Sequence, residues 1–164
     1  AAEMLLLGGL ASDPDEAAEM ATEALVSGQA AERFGAMVTA LGGPAGFVET
    51  YSETLPRAKV SRPVPAPDSG VLVGCDTRAV GLAVIELGGG RRRVEDRIDP
   101  AVGVSGILPR GRAVSAGDSI AVVHATDDAG ADTAVALLQR AFVIGQTEPE
   151  QSPVVRQRIT AEDL

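Results

Sequence analysis

The sequence predicts an α+β chain in two parts: a helical segment over residues 1–56, and a mixed-strand domain of α/β type with two main helices over residues 57–164. Three observations carry that expectation. Apolar residues recur at three- and four-residue spacing through the first 55 positions, the period of amphipathic helices. A proline-rich stretch, Pro56, Pro63, Pro65 and Pro67, then breaks the pattern and places a boundary near residue 56. Beyond it, short β-branched runs alternate with two helical patterns.

Taken in order, Leu5, Leu6 and Leu7 read as the core side of a first helix that Gly8-Gly9 stops. Asp13-Pro14-Asp15-Glu16 is a helix start: Asp13 accepts exposed amides, Pro14 suits the first helical position, and Glu16 completes a capping box. Ala17, Met20, Ala21, Ala24 and Leu25 form the apolar stripe of that helix, closed by Ser27-Gly28. A third helix carries Phe34, Met37, Val38 and Leu41 and ends at Gly42-Gly43, and a short helical turn follows over Phe47 to Tyr51. Val60, Val64 and Ala66, interleaved with prolines, suit an extended edge strand.

Gly70 to Cys75 reads as a strand, after which Asp76 caps a helix whose Val80, Ala83, Val84 and Leu87 share a face. Val102 to Leu108 and Ser119 to Ala125 read as strands, with turns at Pro109-Arg110-Gly111 and Ser115-Ala116-Gly117-Asp118. A helix from about Asp132 to Ile144 presents Val135, Leu138, Ala141 and Phe142, and Val155 and Ile159 alternate with arginines in a last strand.

Composition excludes several function classes. Aromatics make up only 2% of the chain, so the core is aliphatic and base stacking on aromatic rings is not expected. A net charge of −9 argues against a nucleic-acid or other polyanion-binding surface. No apolar run approaches the roughly 18 residues of a membrane helix, and no signal-peptide pattern is present. Cys75 stands alone, which fits a reducing, cytoplasmic compartment. The opening Ala1-Ala2-Glu3-Met4 begins inside an apolar helical pattern without a capping residue, which suggests a fragment or an excised domain.

Four features invite a functional reading, and each has a structural one. Gly88-Gly89-Gly90-Arg91-Arg92-Arg93 offers amides and guanidinium groups to an anion, but the glycines follow a helix, whose C-terminal dipole end is negative. A C-cap and tight turn, with the arginines paired to Glu95, Asp96 and Asp99, is the expected arrangement. His124, the sole histidine, ends an apolar strand with no second His or Cys nearby, and Asp127 and Asp128 read as turn residues, so a structural or surface histidine is expected. Cys75 has no basic neighbour to favour a thiolate and reads as a small buried side chain. Asp13, Asp15, Glu16 and Glu19 read as helix-dipole partners rather than a metal cluster. No serine lies in a Gly-x-Ser-x-Gly elbow.

The order of short motifs resembles the C-terminal part of the thymidine and pyrimidine-nucleoside phosphorylases. The motifs are Glu3-Met4-Leu5-Leu6-Leu7-Gly8, Ser27 to Phe34, Gly70-Val71-Leu72-Val73, Asp76 to Gly81, Leu87 to Arg91, Asp96-Arg97-Ile98-Asp99, Val102-Gly103 and Gly117 to Ala125. One departure concerns subfamily: relatives often carry a basic residue and Gly-Asp in the turn that here reads Arg110-Gly111-Arg112. The resemblance implies a homodimeric, cytoplasmic pentosyltransferase without a cofactor, converting thymidine and inorganic phosphate, as co-substrate, to thymine and 2-deoxyribose 1-phosphate. It makes residues 1–56 a remnant of a large α/β domain and residues 57–164 a C-terminal domain that buttresses the large one and assists its closure over substrate. The family's Lys-His-Ser-Thr phosphate segment and its pyrimidine-holding Arg, Ser and Lys would precede Ala1, and Lys59, the only lysine, sits in the wrong context to replace one. No catalytic, phosphate-binding, substrate-binding or metal-binding residue is therefore assigned to this chain. Two alternatives remain: a carrier module of biotinyl or lipoyl type, echoed by Gly70 to Val73 and Ala116 to Ile120, and a structural domain of another nucleotide phosphorylase.

Overall fold

A computed structural model describes residues 1–150, 153 and 155–159. The chain divides into two compact units, Ala1–Leu55 and a second from Pro56 onward.

The first unit contains four helices: α1 (Ala2–Leu7), α2 (Pro14–Val26), α3 (Gln29–Ala40) and α4 (Phe47–Thr54). Helix α1 ends in a paired reverse turn, in which the Leu10 amide donates to Leu5 O and the Gly9 amide to Leu6 O, with Gly9 left-handed at φ +67°. Asp13 caps α2 through its Oδ1, which accepts from the Asp15 and Glu16 amides at 2.9 Å. The capping box closes one residue early: Glu16 Oε2 accepts from the amide and hydroxyl of Ser12, not from Asp13.

Adjacent helices pack in sequence, and Phe34 meets Phe47 with ring centroids 6.1 Å apart. The periodicity expected of the helices is present, but its burial is not. Among the described residues of this unit only Ala17 is fully buried. Leu7 is 86% exposed, Leu25 72% and Leu41 81%, and Met20, Phe34 and Met37 are exposed as well. The expectation that Leu7 is core is corrected, because four short helices lay their apolar stripes over more surface than they can cover for one another.

The second unit holds β1 (Val60–Pro65), β2 (Gly70–Cys75), α5 (Thr77–Glu86), β3 (Gly103–Ser105), β4 (Ala113–Val114), β5 (Ser119–Ala125), α6 (Asp128–Ala141) and β6 (Phe142–Gly145). Two antiparallel three-stranded sheets form, in the orders β1-β5-β3 and β4-β2-β6. The prolines of β1 lie on a sheet edge, where a missing amide is tolerated. Helices α5 and α6 pack against each other, and α6 also packs on β1 and β5. Val64, Leu72, Ile120, Val123 and Leu138, each no more than 1% exposed, form the centre of the core with Ala83, Ala131 and Ala134. Alanines on the helices let their backbones approach closely, and the strands supply the bulk.

Two expectations about the end of the chain are corrected. The helix stops at Ala141, and Phe142-Val143-Ile144-Gly145 turns into β6, paired with β2 through Leu72↔Ile144 and Cys75↔Phe142. Aromatic and β-branched residues, Phe142, Val143 and Ile144, beside the open edge of β2 gain a ladder that a further helical turn would forgo. Val155 and Ile159 are exposed, and residues 155–159 form no strand. The expected strand Val102–Leu108 is shorter, only Gly103–Ser105 pairing with β5.

Candidate functional site

The glycine turn after α5 is built by the helix that precedes it. Asp76 caps α5, its Oδ1 accepting from the Ala79 amide at 3.0 Å. At the other end the Gly88 amide donates to Ile85 O and the Gly89 amide to Val84 O, with Gly88 at φ +91°. The next glycine is dictated by crowding: a Cβ on Gly90 would lie 2.7 Å from Ile85 Cγ1. The three glycines are therefore consumed in ending the helix and seating the loop on it.

The loop beyond is organised by its acids, in a way the sequence did not indicate. Asp96 Oδ2 accepts from the amides of Arg92 and Arg93 at 2.9 and 2.8 Å, and Asp99 Oδ1 accepts from the Ala101 amide. The ion pair that forms joins Arg92 to Glu86 on α5, rather than to Glu95, Asp96 or Asp99. A carboxylate oxygen facing two consecutive amides stabilises the turn itself.

His124 lies on β5 between two strands. Its Nδ1 is 3.1 Å from the Ser61 hydroxyl on β1 and its Nε2 is 2.7 Å from the Ser105 hydroxyl on β3. The ladder explains the constellation, since Ser61 and Gly103 both register opposite His124. Both serines are distant in sequence from the histidine, so only strand register could have revealed them. Nearby, Arg62 reaches from β1 to Asp128 and Asp132 on α6. Asp127 caps α6 through the Gly130 amide at 2.8 Å.

Cys75 ends β2 and is exposed, contrary to the expectation of a buried side chain. Partial desolvation and, secondarily, the charge of Asp76 push its thiol up from the ordinary value, which disfavours the nucleophilic thiolate. Asp13, Asp15, Glu16 and Glu19 lie at the start of α2, and no group of three or more potential metal ligands converges among the described residues. The Ser12 hydroxyl and, after it, the Ser12 amide hold the Glu16 carboxyl below its usual range.

In the first unit, the unburied apolar side chains surround an open cleft of about 520 Å³ lined by Met4, Leu5, Met20, Ala21, Leu25 and Ala30. Its lining is mostly aliphatic, with Gln29 also among the residues that line it. It is a surface for packing against other apolar groups.

Residues 71–145, spanning β2 to β6, match the family described as the pyrimidine nucleoside phosphorylase C-terminal domain. The thymidine phosphorylase of Burkholderia cenocepacia (strain HI2424) is 49% identical over 158 residues, covering 96% of this chain and 36% of that protein. The thymidine phosphorylase of Burkholderia orbicola (strain MC0-3) is 47% identical over 156 residues, again with 36% of its length covered. The chain thus spans about a third of the length of these relatives; residues 71–145 are similar to the pyrimidine nucleoside phosphorylase C-terminal domain, and nearly the whole chain is similar to part of the thymidine phosphorylases.

Proposed function

We propose that this chain is the C-terminal scaffold of a thymidine phosphorylase, a pentosyltransferase in which thymidine and inorganic phosphate yield thymine and 2-deoxyribose 1-phosphate. The observation that carries the reading is the exposure of large apolar side chains in the first unit, Met4, Leu25 and Phe34 among them. Such a surface calls for a cover, and the two-thirds of the relatives' length outside this chain is a sufficient source of one.

Three of the groups in this chain that could serve chemistry have structural employment. His124 is held at both ring nitrogens by serines, Arg62 by two aspartates and Arg92 by Glu86. Phosphorolysis requires cations that grip a phosphate and stabilise a departing pyrimidine anion, and in this reading those cations lie on the upstream polypeptide. The second unit supports the large domain and its closure over substrate. The whole protein acts as a cytoplasmic homodimer in pyrimidine salvage, with phosphate as co-substrate, no cofactor, and neither nucleic acid nor membrane as partner.

The test compares this chain with the polypeptide extended upstream in its gene. Thymine release from thymidine is expected from the extended protein, only with phosphate present, and not from residues 1–164 alone. Turnover by residues 1–164 alone, or none by a folded extended protein, would overturn the reading.

A further inference from the structure

We draw no further inference here: the strongest candidate, the open apolar cleft between α1, α2 and the start of α3, belongs to the surface whose cover by the upstream polypeptide is already proposed, and nothing else in the structure shows a different occupant for it.

Discussion

The hydroxyl of Ser105 on β3 lies 2.7 Å from Nε2 of His124 on β5, and Ser61 on β1 meets the other ring nitrogen. One imidazole therefore joins all three strands of a sheet. A hydroxyl both donates and accepts, so the two serines satisfy the ring whichever nitrogen carries the proton. Replacing Ser105 by Ala should destabilise the second unit by about 0.5–1.5 kcal/mol, the usual net value of one hydrogen bond, read as a lower urea midpoint. Ser61→Ala, at the longer contact, should cost less. Midpoints unchanged in both variants and in the double variant would show that the bridge contributes nothing.

Two glycines of one helix should respond to alanine with opposite signs. Gly81 sits within α5, and a Cβ there meets nothing within 4 Å, so Gly81→Ala should stabilise by roughly 0.5–1 kcal/mol through helix propensity. Gly88, one residue past the cap, holds φ +91°, and Gly88→Ala should destabilise by about 1–2 kcal/mol. Thermal unfolding of both variants checks the pair. The same sign for both would contradict the cap geometry.

That contrast also marks what the residues disclosed in advance. Glycines at the ends of helical patterns, Asp13 and Asp76 as caps, and the Ser119–Ala125 strand all follow from local chemistry, and local chemistry is what a sequence displays. Burial did not follow in the same way. Leu7 and Leu25 carry the period of a core, yet period shows only that a helix has an apolar side, not whether anything lies against it. Phe142 fell on the wrong element because a short apolar run, Phe142-Val143-Ile144, fits either continuation until the open edge of β2 is known. The partners of His124 were not legible, since they stand 63 and 19 residues away and are joined to it only by strand pairing.

Two leucines should separate the core from the uncovered face. Leu138 is fully buried, so Leu138→Ala should cost about 2–5 kcal/mol. Leu25→Ser should barely move the stability of this chain by itself, since the side chain is already in water. In the upstream-extended protein the same substitution should lower the unfolding midpoint, because there it places a hydroxyl in a covered surface. An equal effect of Leu25→Ser in the two contexts would mean that the face stays open.

Acid should act on the first unit through Glu16. Its carboxyl is held low in the folded chain by Ser12, so the stability it contributes is complete above the unfolded carboxyl value. That contribution fades as pH falls through the lower folded one. NMR titration should place the Glu16 midpoint below that of an ordinary glutamate, and Ser12→Ala should move it back upward. An identical midpoint in both proteins would remove the role given to the Ser12 hydroxyl.

Strand β1 bears on the handling of the protein. Pro63 and Pro65 remove two amides from the rim of their sheet, and the Pro65 carbonyl is occupied by Gln139 Nε2 at 2.9 Å. A stray extended peptide arriving at that rim finds few groups with which to zip, so fibre growth from this side is discouraged. Clumping of the isolated chain at high concentration should therefore begin at its greasy helices, and mild detergent should relieve it more effectively than agents that compete for backbone amides.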